Sequence, residues 1–392
     1  MSGNNRKIIH FLSASDRINY GDLLFPIIFK KFAEEGGYKI KLYNYGIVKS
    51  NLSKFGAMPT LSYIDLLKNT ENNQGGKLVI GGGEVFFADW NKLYSFINPI
   101  YYKLNKYKRV QKLMIPKLLL AKNRVDVPFC PSKSELKNDK LKLYFSSVGG
   151  SFSGRANSNS NLKIKDTLNS ASLLSVRDER VKTSMEQNGL KARLVPDSAL
   201  IISDYFTQGF LRDKISENCK IIKEPYIFLQ IGNFKGPRNL KQFILDLKEV
   251  SSLLKLNIVL CPIGKAAGHE DHVILKKIKA YENSFTYIDP ESIFDIMYLI
   301  SHASLYIGTS LHGIITAQSF SVPFIGLNNK LIKVSSYMKT WISESMDCLQ
   351  FDEISKVTDI FSEWNHSMLL DKTTEQKQLV RDNLKFILCD GE

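Results

Sequence analysis

Short apolar runs alternate with amphipathic stretches along most of the chain, and the alternation restarts after a polar, charged interval at Asp213–Glu224. Few architectures accept this pattern. Strands that alternate with helices build a parallel sheet covered by helices on both faces. A pattern that starts twice builds two such sheets. In the first half the predicted strands are Lys7–Leu12, Tyr38–Tyr43, Lys77–Ile80, Leu143–Val148, Ser172–Val176 and Arg193–Val195, with a helix over Asp22–Glu34 closed by Gly36-Gly37. In the second half the strands Tyr226–Ile231, Asn257–Pro262, Phe285–Ile288, Leu305–Gly308 and Pro323–Leu327 are separated by helices over Asn239–Leu254, Val273–Tyr281, Ile293–Ala303 and His312–Phe320. The predicted fold is α/β with two facing Rossmann-like domains, residues 1–210 and 222–365. A tail over 366–392, helical at Glu375–Leu388, packs back on the first domain. Ser153–Asn161 reads as a polar loop.

Composition narrows the class. At 392 residues the chain suits two domains, and 44% hydrophobic with 23% charged residues is a globular composition. The five cysteines are scattered and form no CxxC pair, so neither a disulfide framework nor a zinc knuckle is expected. Met1–Arg6 is polar, Ile8–Leu12 is too short for a signal-peptide core, and no run approaches the roughly 20 apolar residues of a membrane span. The expected location is the cytoplasm, at the inner face of the plasma membrane if the basic stretch discussed below binds lipid. The formal net charge of +14 speaks of anionic partners. No zinc finger, RNP motif or helix-turn-helix accompanies it, so nucleic acid is not the expected partner.

Six short motifs carry polar residues at strand ends and helix starts, where ligands of open α/β sheets bind. Asn19-Tyr20-Gly21-Asp22 offers a tight turn and, at Asp22, an N-cap. Gly81-Gly82-Gly83-Glu84 lets backbone approach a ligand closely, and it is neither a Walker A loop nor GxGxxG. Ser175-Val176-Arg177-Asp178 ends a strand with a guanidinium suited to a carboxylate or phosphate, or to a surface arrangement with Asp178 or Glu179. Pro196-Asp197-Ser198 reads as a turn and cap. His269-Glu270-Asp271-His272 has two histidines three apart, but no third ligand is placed and the acids suit a first helical turn, so no metal is expected. Gly308-Thr309-Ser310-Leu311-His312-Gly313 is the most informative. A buried strand delivers a polar turn and a histidine to a helix start, where N–H groups favour an anion and the imidazole can carry protons.

In this order the motifs resemble the polysaccharide pyruvyltransferase family, over about residues 15–330. The resemblance implies a glycosyltransferase-B-like pair of domains. It implies transfer of pyruvate from phosphoenolpyruvate onto a sugar, or a lipid-linked oligosaccharide, as a cyclic ketal in capsule, exopolysaccharide or cell-wall synthesis. No cofactor is implied. Carried onto this chain, the catalytic residues are His312 (proton carrier or phosphate ligand) and Arg177 (anion clamp). Thr309, Ser310, Leu311, Gly313 and Lys265 fall on the donor side, and Asn19, Asp22, Gly82, Gly83 and Glu84 on the acceptor side. The family's Arg-Leu-His triplet reads Ser310-Leu311-His312 here. One donor cation is therefore missing, and Lys265, Arg238 or Lys235 are the nearby substitutes. A nucleotide-sugar glycosyltransferase of the same architecture is the alternative. Finally, Tyr101–Arg124 carries eight Lys or Arg residues among aromatics and leucines with no acid. This suits a segment lying on anionic lipid, or equally a helix with a solvated basic face, and Pro116 would kink any helix through it.

Overall fold

The computed structural model describes residues 6–72, 75–86, 88–110, 127–150 and 158–390. Its two sheets are wholly parallel. The first contains β1 (Lys7–Leu12), β2 (Ile40–Tyr45), β3 (Lys77–Gly81), β4 (Lys142–Val148), β5 (Leu173–Val176) and β6 (Arg193–Leu194), in the order β2-β1-β3-β4-β5-β6. The second contains β7 (Tyr226–Gln230), β8 (Asn257–Leu260), β9 (Thr286–Tyr287), β10 (Leu305–Gly308) and β11 (Phe324–Gly326), in the order β11-β10-β7-β8-β9. Central strands are apolar on both faces, as β3 (KLVIG) and β7 (YIFLQ) show, because helices cover both sides.

Each sheet reverses its winding once, and a crevice opens at the carboxyl ends of the strands there. In the first sheet the reversal lies between β1 and β3, in the second between β7 and β10. The two crevices face each other across a tight seam. The N–H of Tyr20 donates to the Ile263 carbonyl (3.0 Å), those of Lys265 and Ala266 to the Ile18 carbonyl (3.1 Å each), and Tyr20 Oη meets Thr316 Oγ1 at 3.0 Å. The largest apolar cluster also spans both halves, joining Tyr20, Leu24 and Ile28 to Leu311, Ile314 and Ile315. Each sheet keeps a second cluster of its own on the far side.

Several predicted boundaries move. The first helix starts at Tyr20 rather than Asp22, so Asn19 is the N-cap and Asp22 lies within the first turn. Seam hydrogen bonds at Ile18 and Tyr20 fix that start. The second strand runs Ile40–Tyr45, because its register against β1 pairs Lys7 with Ile40. A helix over Ser158–Asn169 begins inside the expected polar loop, with Ile164 and Leu168 buried beneath it; residues 151–157 lie outside the described residues. The C-terminal helix is longer than predicted, His366–Cys389. Its first half docks on the second domain, where Gln318 Nε2 donates to Gln376 Oε1 (2.7 Å) and Lys372 Nζ to the Ile342 carbonyl (2.5 Å). Its end reaches the first sheet. There the buried Lys77 ammonium donates to the carbonyls of Ile387 (2.6 Å) and Leu388 (2.9 Å), and Tyr144 Oη donates to Asp390 (2.6 Å).

Lys77 thus satisfies carbonyls that the helix end leaves unpaired. Lys77→Met should lower stability by about 1–3 kcal/mol, the usual cost of unpairing buried polar groups. A denaturant midpoint that falls with an unchanged m-value would show it; an unmoved midpoint would refute it.

Candidate functional site

One buried carboxylate joins the two domains at the seam. Asp197, fully buried, follows β6 in the segment that leaves the first sheet. Its Oδ1 accepts from the Ala199 N–H (3.0 Å), which is the cap expected from sequence. Its Oδ2 does something else. It lies 3.2 Å from Arg177 Nη1, at the end of β5, and 3.6 Å from His312 Nε2, in the first turn of the helix Leu311–Ser319 beyond β10. Burial works against the Asp197 charge. The His312 ring first, then Arg177, outweighs it and holds the carboxyl below its ordinary value. Sequence reasoning assigned Asp197 only the cap. The signal for its second role was its place straight after a strand end, the same signal used for Arg177.

Packing fixes His312 on every side. A Cβ at Gly21 would lie 1.8 Å from His312 Nδ1, so only glycine lets the first helix approach. Phe25 meets the imidazole edge-on at 5.4 Å, and Phe25 in turn fills the space above Gly82, which has a left-handed φ of 62°. The NxGD and GGG motifs therefore meet around the histidine. His312 Nε2 is buried with no hydrogen-bond partner among the described residues, and its side chain is 12% exposed.

Arg177 sits deeper than a cleft-facing clamp, at 2% exposed. Its guanidinium lies flat on Gly149, where a Cβ would come within 2.7 Å of Nε. The surface arrangement with its neighbours does not form. Asp178 instead caps the helix Glu179–Gln187 and accepts from Ser336 Oγ (2.9 Å). Trp341 Nε1 donates to the Arg177 carbonyl (2.7 Å), so the helix Ile332–Trp341 of the second domain is latched onto this corner of the first.

The residues expected on the acceptor side gather in the first crevice. Asn19 Nδ2 donates to Asp22 Oδ2 (2.6 Å), and Gly83 stands against Asp22. Burial raises the Asp22 carboxyl above its ordinary value, and His312, Arg17 and Lys333 offset this only in part. Glu84 behaves oppositely. Burial pushes it up, but Lys333, Arg177, Lys92 and Arg180 outweigh burial and leave it lowered. Of the residues expected on the donor side, Ser310 caps its helix without a side-chain hydrogen bond. Thr309 spends its hydroxyl tying the ends of β7 and β10, accepting from the Gly232 N–H (2.9 Å). Leu311 is core, and Gly313 leaves room for the Tyr306 ring.

Lys265 points elsewhere. Its ammonium pairs with Asp289 (2.7 Å) and the Pro290 carbonyl (3.0 Å) over the Phe55 ring. Arg238 lines a separate cavity of about 400 Å³ beside Asn239 and Gln350. Of the three suggested cations, Lys235 is the one at the crevice. Arg17 and Lys333 join it there, and neither was singled out from sequence. The His269 ring, tilted against Phe96 at 5.6 Å, is driven down to about 3 by burial and then by Lys235, so it is neutral. Among the described residues no group of three or more His, Cys, Asp or Glu side chains could hold a metal ion.

Two facing parallel-sheet domains with convergent polar crevices make an α/β fold of glycosyltransferase-B-like architecture. The polysaccharide pyruvyl transferase family model matches residues 19–330, and the chain belongs to that family. No curated protein sequence matches. Among solved structures, UDP-N-acetylglucosamine 2-epimerase from Rickettsia bellii aligns with a TM-score of 0.57 at 12% identity, over 98% of this chain and 96% of that one. The Methanocaldococcus jannaschii UDP-GlcNAc 2-epimerase, in complex with UDP-GlcNAc and UDP, gives 0.51 at 12% identity over 92% and 94%. The N-terminal domain of Candida albicans trehalose-6-phosphate phosphatase gives 0.51 at 11% identity over 98% and 99%. At these identities the likeness concerns the fold.

The charge on Asp22 costs stability where it is ionised in the folded state. The unfolded carboxyl ionises near pH 3.9 and the folded one higher, so the penalty grows as pH rises between the two values. Asp22→Asn should therefore raise the melting temperature at pH 7–8, have little effect near pH 3.5, and lower turnover. Equal shifts at both pH values would contradict this assignment.

Proposed function

We propose that this enzyme moves pyruvate from phosphoenolpyruvate onto a sugar hydroxyl pair as a cyclic ketal, with His312 as the proton carrier. The carrying observation is the Asp197 carboxylate, held by Arg177 of one domain and faced by His312 of the other. A carboxylate beside an imidazole holds the ring in a fixed orientation, which proton transfer requires. Arg177 supports this dyad from beneath as a positioning residue. It keeps Asp197 ionised and adds positive field to the crevice. Asp22 and Glu84 sit opposite, as hydrogen-bond partners for sugar hydroxyls.

The reaction balances without a cofactor. A proton added to the donor methylene makes C2 oxocarbenium-like. A sugar hydroxyl attacks C2 and gives up its proton, and the phosphate leaves with the C2–O electron pair. The second hydroxyl then closes the ketal and gives up its proton. One of the two protons released replaces the one consumed, and the other leaves with phosphate. A group that both donates and accepts protons within reach of C2 serves each step.

The test is phosphate release from phosphoenolpyruvate in the presence of synthetic or lipid-linked oligosaccharides. Release should require both substrates, and His312→Ala should lower kcat by about 100-fold or more. Near-normal turnover in that variant would overturn the assignment. Tight binding of a uridine or guanosine nucleotide, with indifference to phosphoenolpyruvate, would replace the reading by nucleotide-sugar glycosyl transfer.

A lipid-linked acceptor would place the enzyme at a membrane surface. Among the described residues no helix is long and apolar enough to cross one. Of the basic stretch Tyr101–Arg124, residues 111–124 lie outside the described residues. The part described leaves Leu104 and Tyr107 exposed beside Lys103, Lys106, Lys108 and Arg109, and Ile100, just before the stretch, is 70% exposed. This mixture supports peripheral binding to anionic lipid, where each cation contributes about 1 kcal/mol. Co-sedimentation with anionic but not neutral vesicles, lost when Lys106, Lys108 and Arg109 become Glu, is the expected result. Equal binding to both vesicle types would refute it.

A further inference from the structure

We propose that Asp271 is a positioning residue for His312: through one carboxylate oxygen it ties the turn that delivers the imidazole to the loop that docks the first domain against it. The reaction that reports this role is the pyruvyl transfer proposed above, whereas the positioning itself stands on hydrogen bonds alone.

Asp271 opens the helix Asp271–Tyr281, whose N-cap is Glu270 at a left-handed φ of 43°. Its carboxylate reads from sequence as first-turn charge, yet it is 3% exposed and committed to other elements. Oδ2 accepts from Gln230 Nε2 (2.8 Å), the Gly264 N–H (2.9 Å) and the Ile263 N–H (3.2 Å). Two routes leave this oxygen. One runs through Gln230 at the end of β7, whose Oε1 accepts from the Thr309 N–H (3.1 Å) and from Thr309 Oγ1 (3.3 Å). Thr309 follows β10 and precedes Ser310, the N-cap of the helix that carries His312. The other route runs through the loop after β8. The Ile263 carbonyl accepts from the Tyr20 N–H (3.0 Å), and Gly264 pairs with Asn19 across the seam. Tyr20 adjoins Gly21, the residue whose missing side chain admits the His312 ring. One oxygen thus fixes both the helix start that presents His312 and the wall against which the ring stands. A shift of either moves the imidazole relative to Asp197, which its Nε2 faces at 3.6 Å.

An ionised carboxylate is the stronger acceptor, so the network is tightest when Asp271 is charged. Burial lifts its carboxyl to about 6, and the bonds from Gln230 and Gly264 and the Lys235 ammonium offset this only in part. The titratable groups that face it are three. Lys235 stands with Asp271 against Gly232. The Tyr306 phenol of β10 is raised by burial and then by Asp271 itself. The His269 ring stands with Asp271 against Gly264 and is neutral. Above about 6 the carboxylate holds all three donors as an anion. Below that value the neutral acid accepts more weakly, as the amide of an asparagine does.

Two readouts test this on the full-length protein. One is turnover of phosphoenolpyruvate with an oligosaccharide acceptor, between about pH 5 and 8.5. The other is the ring resonances of isotope-labelled histidines, His312 being the signal that His312→Ala removes. The variants are Asp271→Asn and Asp271→Leu. The control is Asp295→Asn, a fully buried carboxylate of the same domain that accepts from the N–H groups of Ser216 (2.8 Å), Glu291 (2.8 Å) and Ser292 (3.1 Å). Circular dichroism identifies folded variants. If neither Asp271 variant folds, Thr309→Val and Thr309→Ser, which remove and keep the hydroxyl in the network, read the same link, and valine should cost more than serine. Asp271→Asn should lower kcat about tenfold near pH 7.5 with KM changed less than about threefold, and Asp271→Leu should lower it further. The asparagine deficit should shrink as pH falls through about 6, because the wild type then carries a neutral acid as well. The His312 resonance should move in both Asp271 variants. Asp295→Asn should lower the melting temperature and leave kcat and the His312 resonance in place. A deficit of one size at every pH, matched by Asp295→Asn, would overturn the proposal. If wild-type protein ignores phosphoenolpyruvate but the His312 resonance still follows Asp271, the donor reading fails and the positioning stands. If turnover proceeds and neither kcat nor the resonance responds to Asp271, the positioning fails and the donor reading stands.

Discussion

The structure turns on a carboxylate that is buried, charged and shared. Asp197 is fully buried and its partner Arg177 nearly so. Taking both groups out of water is expensive, and breaking such a pair leaves an uncompensated charge worth roughly 3–5 kcal/mol. An apolar pair of the same volume would hold the first domain together as well or better. The carboxylate does more than close that pair, because the oxygen that faces Arg177 also faces His312 across the seam. The same carboxylate begins the chain's exit from the first sheet by capping the short turn Ser198–Ile201. Chain path and domain contact thus depend on one side chain.

Much of the architecture was legible because its signals are local. A strand such as YIFLQ bounded by polar turns, or a helix such as Leu240–Leu254 with Asn239 as its cap, reads from spacing and end chemistry. The elements misread were those set by distant partners. The first helix starts at Tyr20 because seam hydrogen bonds to Ile263 fix the backbone there. The C-terminal helix extends back to His366, where Gln376 accepts from Gln318 and Lys372 donates to the Ile342 carbonyl of the second domain, partners that no periodicity could reveal. The candidate site divides the same way. Motif residues at strand ends could be named from sequence. Asp197, Lys333 and Arg17 depend on which strand ends meet which, a property of sheet order and domain facing. Leu311 and Gly313 were drawn in by their neighbours and are packing residues.

The glycines explain why the motifs are spaced so far apart in sequence and so close in space. His312 needs a wall on the first domain with no side chain at one point, and Gly21 supplies it. Phe25, one helical turn further on, needs room above the β3 end, and Gly82 supplies that in a left-handed conformation that larger residues enter at a cost. The asparagine and aspartate of the same motif then pair with each other at the crevice floor. A motif that looks like a turn signal is, in three dimensions, the complement of a histidine nearly 300 residues away.

The way the domains are joined bears on how such a site works. Tyr20, Leu23, Leu24 and Ile28 of the first domain share one apolar cluster with Ile314, Ile315 and Ala317 of the second, and the helix His366–Cys389 packs on both. Separating the domains along this seam would expose several large side chains, each worth about 1.5–3 kcal/mol when buried. It would also strip His312 of Gly21 and Phe25. His312, placed by a closed core, requires no domain closure to reach its position, and a side chain held in place before substrate arrives lowers the orientation cost of a reaction step.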